Sequence, residues 1–205
     1  MKTSKLLLIA GFIAFTGVAA KAQKFTEGDE KLTFLKGEKK FNIEYAYDGM
    51  NVGKKTEVDY KAEKVDYYNK KQAGKGDRWA EKWVASRTAV YEPMFEELIN
   101  KQMAKTGAMA AKNQKDAKYT VLVKTVMLEP GFNSYVMKVN PYCDFEVSWI
   151  ETASGKVMAK AFLNNVQGVV VADNDWDFDP SNRIKECFAK AGKMVGKTMA
   201  KALSK

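Results

Sequence analysis

Residues 143–151 read Cys-Asp-Phe-Glu-Val-Ser-Trp-Ile-Glu, and their side chains alternate in polarity almost without a break. Cys143, Phe145, Val147 and Trp149 belong to one face, and Asp144, Glu146 and Ser148 to the other. Such a segment is a β-strand with one face in a core. Thr152-Ala153-Ser154-Gly155 then supplies a hairpin turn, and 156–164 a returning strand. Upstream, YTVLVKTVMLE (Tyr119–Glu129) is long and β-branched, as a central strand requires. Pro130-Gly131 fits the middle of a type II turn. Residues 132–139 read as a short edge strand, because Pro141 cannot donate to a ladder. Consecutive strands joined by tight turns pair antiparallel. This block commits the middle of the chain to a sheet, and the rest must cover it.

The remaining elements follow from period and punctuation. Residues 23–40 are polar and Lys-rich, with room for one edge strand. Phe41, Ile43, Tyr45 and Tyr47 alternate with Asn42, Glu44, Ala46 and Asp48, and Asp48-Gly49 ends that strand. Thr56-Glu57-Val58-Asp59 has the form of a capping box, and helical spacing runs on to about Lys71. Asp77 is the expected N-cap of a longer helix carrying Trp79, Trp83, Val90, Met94 and Leu98, with Pro93 kinking or restarting it. Gly107 stops it, and 108–118 reads as a linker. Asp179 caps a last helix with Pro180 at its first position. The expected fold class is α+β: a two-layer domain in the order β-α-α-β-β-β-α. It has a mainly antiparallel sheet of four to five strands and long helices packed on one face.

The N-terminus sets the expected compartment. MKTSK is basic, residues 6–20 are apolar, and Ala20-Lys21-Ala22 offers small residues where a signal peptidase reads. Residues 1–22 are read as a signal peptide and 23–205 as one domain, exported to the periplasm or secreted. No Cys follows the apolar run, so the chain is not read as a lipoprotein. Removing Lys2, Lys5 and Lys21 from 34 basic residues leaves 31 against 25 acidic ones. The basic residues are nearly all lysine, with only Arg78, Arg87 and Arg183 as arginines. Arginine is the usual residue for bidentate phosphate and base-edge recognition, so nucleic acid is not expected as a partner. The lysine-rich surface favours solubility and weak attraction to anionic surfaces.

AGKMVGKT (191–198) satisfies a relaxed phosphate-loop pattern. That motif works as a loop between strand and helix. Here the preceding RIKECFAK is already helical by pattern. Ile184, Phe188, Ala191, Val195, Met199 and Ala202 form one apolar face, and Lys193, Lys197, Lys201 and Lys205 a stripe on the far side. Gly192, Gly196 and Ala200 form a small-residue seam suited to close packing. No nucleotide and no cofactor is therefore expected. Asp173, Asp175, Asp177 and Asp179 alternate like the start of a calcium loop. However, Phe178 stands where the turn glycine belongs and Ile184 where the bidentate Glu belongs. They are weak metal candidates, better read as an acidic lead-in to a helix. Trp176 and Phe178 in the same loop are either tucked into the core or presented to a partner.

Cys143 and Cys187 are the only cysteines, and an exported disulfide between them requires the last helix to pack over their strand. Trp79, Trp83 and Arg87 are spaced to stack a cation on a ring, although a core stripe ending in an arginine that reaches the surface is the commoner arrangement. Gly74-Lys75-Gly76-Asp77 reads as a turn. The chain has no histidine, which removes Ser-His-Asp and Cys-His arrangements and His-based zinc sites. Glu44 and Glu146 remain as carboxylates to test for facing one another across strands.

Three stretches, YTVLVKTVMLEPGFN (119–133), FEVSWIETASGKVMA (145–159) and DFD followed by RIKECFAKAGKMVGK (183–197), resemble a group of small exported Bacteroidota proteins with no assigned activity. The resemblance implies an exported location and supplies no catalytic residues. The expected function is a non-catalytic cell-envelope protein that binds or assembles with an envelope partner or anionic surface. Its contact surfaces are expected at Trp176 and Phe178, at Lys193, Lys197 and Lys201, or on the uncovered sheet face. The alternative is a small ligand- or calcium-binding domain, or a weakly marked hydrolase using sheet carboxylates.

Overall fold

The computed structural model describes residues 23–133, 137–168 and 180–204; the expected leader (1–22) and the loop holding Asp173, Asp175, Trp176, Asp177, Phe178 and Asp179 lie outside them. In chain order the elements are β1 (Gln23–Gly28), β2 (Lys40–Ala46), β3 (Asn51–Val52), β4 (Lys55–Thr56), α1 (Glu57–Lys71), α2 (Lys75–Ser86), α3 (Glu92–Met103), β5 (Met109–Ala111), β6 (Tyr119–Glu129), β7 (Phe132–Asn133), β8 (Lys138–Val139), β9 (Tyr142–Glu151), β10 (Val157–Gln167) and α4 (Ser181–Leu203). The chain is α+β, with one large mixed sheet.

The sheet runs β1-β10-β9-β6-β2-β5, with β3 beside β6 and β4 beside β3. Strands β1, β10, β9 and β6 are antiparallel neighbours. The pairs β2–β6, β2–β5 and β3–β6 are parallel. β7 and β8 pair only with each other. The expectation of a two-layer domain with four to five mainly antiparallel strands is thus corrected: eight strands form one mixed sheet. The extra strands are two or three residues long, too short to carry a period. β5 lies inside 108–118, read from sequence as a linker. Strand pairing is made by main-chain groups, so a three-residue ladder of small side chains leaves no mark on polarity.

The helices also depart from the expected order. A π-helical turn, Arg87–Tyr91, joins α2 to α3, so the described residues hold three long helical bodies. The turn closes where Glu92 N–H donates to the Arg87 carbonyl, one residue before Pro93. Pro93 has no N–H to give Ala89, and a widened turn accommodates that gap. Thr56 caps α1 as the pattern required, its hydroxyl accepting from Asp59 N–H at 3.1 Å. α2 begins earlier than expected, at Lys75, with Gly74 at φ 72 as its cap and Asp77 inside the first turn. α1 has no buried residue and rests chiefly on α2, meeting the sheet at β3 and β4. Tyr60, Trp79 and Trp83 fill the seam between those two helices, with Trp79 and Trp83 stacked at 5.5 Å.

The core lies between the sheet and the α3–α4 pair. Phe41, Ile43, Val121, Val123, Phe145, Val147 and Trp149 meet Phe95, Ile99, Phe188, Val195 and Met199 there. Phe145 and Phe188 cross edge to face at 5.0 Å, and Tyr45 meets Phe95 the same way at 5.9 Å. α4 is helical straight through 191–198, and Gly192 and Gly196 face the backbone of α3 at Phe95 and Ile99. The small-residue seam is therefore a helix–helix contact. At the start of α4, Arg183 is buried and donates to the carbonyls of Pro130 and Gly131, fixing the turn after β6.

Candidate functional site

The two edges of β2 are unequal. One is paired with β6 from Phe41 to Ala46. The other is covered by β5 only at 40–42. Met109 N–H donates to the Lys39 carbonyl at 2.9 Å, so the odd residues turn their main-chain groups toward the β5 side. By that alternation the Ile43 carbonyl and the N–H and C=O of Tyr45 face a side where no strand lies among the described residues.

Two clefts flank this open edge and meet at Tyr45. One, of about 410 Å³, is lined by Asn42, Glu44, Tyr45, Glu92, Lys112 and Lys115 among others. The second, of about 620 Å³, is lined by Tyr45, Tyr47, Met50, Thr56, Glu57 and Arg87 among others. The alternation of β2 places Tyr45 and Tyr47 on the helix side, and the π-turn and α3 bring the charged residues to them.

The walls are a connected polar network. Glu92 is 5% exposed and is the hub. Its carboxylate accepts from Tyr47 Oη at 3.3 Å and from Lys112 Nζ at 2.8 Å, and its main-chain carbonyl accepts from Tyr45 Oη at 3.2 Å. The hydrogen bond to Glu92 raises the Lys112 ammonium above its ordinary range. Glu96 lies 3.9 Å from Lys112, its Oε1 is buried without a hydrogen bond, and burial raises its carboxyl. Burial also holds Tyr45 and Tyr47 far above the usual phenol range, so both are hydrogen-bond donors at any ordinary pH. At the other end, Glu57 accepts from Arg87 and, at 2.6 Å, from Trp83 Nε1. The Arg87 guanidinium lies 4.3 Å from the Tyr47 ring centroid. Chemically this is a preorganised donor–acceptor surface whose main charges are paired within it.

The residues singled out from sequence fall elsewhere or fall differently. Lys193, Lys197 and Lys201 are exposed on α4, away from these clefts. Arg87 stacks on Tyr47, not on Trp79 or Trp83. Glu44 stands opposite Leu122, and Glu146 opposite Lys124. With β6 between them, the two carboxylates do not face one another. Cys143 and Cys187 are brought together, since α4 does pack over β9; both are buried thiols, hydrogen-bonded to each other. Burial, then contact with Cys187, pushes the Cys143 thiol well up. Among the described residues no group of acids and cysteines is placed to hold a metal, and no helix is long and apolar enough to cross a membrane.

Sequence reasoning missed Glu57, Glu92 and Lys112. The alternation of β2 had put Tyr45 and Tyr47 on the covered face, and a buried phenol needs a hydrogen-bond partner. Which helix residue would supply it was not readable, because the π-turn rotates α3 relative to α2.

No family model matches the chain, and no curated protein matches it. Among solved structures, the PelC dodecamer from Paraburkholderia phytofirmans aligns with a TM-score of 0.40 and 12% identity, covering 87% of this chain and 96% of that one. A single-substitution variant of that protein aligns with a TM-score of 0.39 and 10% identity over the same shares. Likenesses of this strength carry nothing over to this chain.

Proposed function

We propose that this chain is an exported, non-catalytic protein of the cell envelope that binds a partner protein through the groove along β2. The observation that carries the reading is the meeting of two clefts at Tyr45, beyond the part of β2 that β5 pairs. Their walls are already ion-paired at Glu92 with Lys112 and at Glu57 with Arg87. Paired charges with satisfied donors suit recognition better than proton transfer by those same groups. The basic, apolar N-terminus and the resemblance of 119–197 to exported Bacteroidota proteins support the compartment. The lysine-dominated surface supports solubility there.

The test uses the full chain expressed in a Bacteroidota host. Export predicts a purified chain beginning at Gln23 in the envelope fraction; a cytoplasmic chain beginning at Met1 refutes it. A photo-crosslinking amino acid at Val58, which lines the larger cleft and is 77% exposed, is expected to trap a discrete adduct. The same group at Lys193 on α4 should not. Equal trapping at both positions would remove the groove from the account.

A further inference from the structure

The chain has two cysteines, and the fold brings both to one place in the core. Cys143 is the first inward side chain of β9 and stands opposite Val166 of β10. Just past that pair, Gly168 N–H donates to the Pro141 carbonyl at 2.9 Å and continues the ladder. Side chains two apart on a strand share a face, so Cys143 and a Cβ on Gly168 would point the same way. Cys187 lies over that spot, because such a Cβ would meet its sulfur at 3.1 Å. On the next residue of α4, Phe188 crosses Phe145 edge to face at 5.0 Å. Two separate contacts therefore set the register of α4 on the ends of β9 and β10. In that register the two thiols share a hydrogen bond, and solvent reaches neither.

Going beyond the binding reading, and independent of the groove, we propose that Cys143 and Cys187 are the site of an intramolecular disulfide that closes as the chain folds and joins the start of α4 to β9. Cysteines held apart cannot bond without backbone movement, and these two are already in contact. With no third cysteine in the chain, no other intramolecular bond competes. The oxidant is a disulfide donor, and the reaction is thiol–disulfide exchange. One thiolate of the chain attacks a donor sulfur, the donor S–S bond breaks, and one donor thiol leaves. The second thiolate attacks the chain's own sulfur in the mixed disulfide and expels the other donor thiol. The chain loses two electrons and two protons, and the donor takes them up as two thiols. Both steps need thiolate and access, and the finished core withholds both. The sulfurs are buried, and burial holds the Cys143 thiol protonated. Exchange therefore precedes the sealing of β9 by α4, and the sealed core then shields the bond from reductants. The bond closes a loop from 143 to 187 and so restrains the unfolded chain.

The chain as purified from the host is reduced in urea and diluted into folding buffer holding reduced and oxidised glutathione at about ten to one. Samples are quenched with acid, and the mass of the intact chain is measured. The expected product is a monomer lighter than the reduced chain by two hydrogens, with more than about nine-tenths of the molecules bonded. After trypsin without reductant, peptides 139–156 and 186–190 should travel as one. A chain that folds with both thiols free, carries glutathione instead, or couples to a second copy overturns the proposal. Chain folded first in reductant and then moved to the same buffer should close at least about tenfold more slowly, because its thiols are buried. Equal rates would refute closure during folding. The bonded chain should also have a higher urea midpoint than the same chain kept reduced. A lower midpoint would show that α4 must shift to make the bond, and would sink the proposed pair. None of these readouts involves the groove, so they can fail while the partner reading stands, and absence of an adduct at Val58 leaves the disulfide untouched.

Discussion

Replacing Gly192 by Ala pits helix propensity against helix packing, and the structure says which wins. In an isolated helix the change is favourable by about 1 kcal/mol. Here a Cβ on Gly192 would lie 2.3 Å from the Phe95 carbonyl oxygen and 3.0 Å from Phe95 C and Cα. The first distance is about 1.1 Å short of the 3.4 Å at which ordinary contact begins. The obstructing atoms are α3 backbone, which cannot rotate aside as a side chain can. α4 must therefore move off α3 by roughly an ångström along much of the contact, loosening Phe188, Val195 and Met199 as well. Overpacking a well-filled core costs about 1–3 kcal/mol, and a rigid backbone obstacle belongs at the upper end. Net of the propensity gain, Gly192→Ala should lose about 1–2 kcal/mol, and adding Gly196→Ala should deepen the loss. For a chain of this size that is about 2–8 °C in Tm. Circular dichroism melts and urea titrations of residues 23–205 measure it, with Lys193→Ala, an exposed change on the same helix, expected within about 0.5 kcal/mol of wild type. A Gly192→Ala protein as stable as wild type, or more so, would refute the packing of α4 on α3.

Glu96→Gln tests the half-buried carboxyl. Its folded pKa is raised by burial, so the stability of its neutral form is full below the unfolded value and is lost as pH rises through the raised one. The variant escapes that loss, so its urea midpoint should gain on wild type as pH rises through and above the ordinary carboxylate range; a gap that does not change with pH contradicts the assignment. Cys143 and Cys187, purified reduced, should resist iodoacetamide in the folded protein and both react in urea, because both are buried and burial also disfavours the Cys143 thiolate. Rapid labelling of either thiol in the native state would show that α4 does not seal β9.

Much of the fold was readable where side chains alternate or recur against a large, continuous surface. The inward set Cys143, Phe145, Val147 and Trp149 and the apolar stripe from Ile184 to Ala202 are buried in the core. Lys193, Lys197 and Lys201 face solvent on the opposite side of α4. The relaxed phosphate-loop match was readable as helix for the same reason: three stripes interleave at helical spacing. The short strands were not readable. Asn51–Val52, Lys55–Thr56 and Met109–Ala111 join the sheet through main-chain bonds that any residue except proline can make.

The groove was still less visible. Tyr45 and Tyr47 come from the start of the sheet, Glu57 from α1, Arg87 from the π-turn, Glu92 from α3 and Lys112 from the segment after β5. Nothing in their spacing ties them together. What the sequence by itself determined is polarity: which side of β2, β6, β9 and α4 turns inward, because burial of apolar surface acts on each element locally. What only the tertiary structure decided is adjacency. β2 lies between two parallel neighbours, β5 stops short of Tyr45, and Glu92 arrives beside two phenols. Those contacts depend on how distant segments are threaded and on where a three-residue strand ends, neither of which has a local energetic signature.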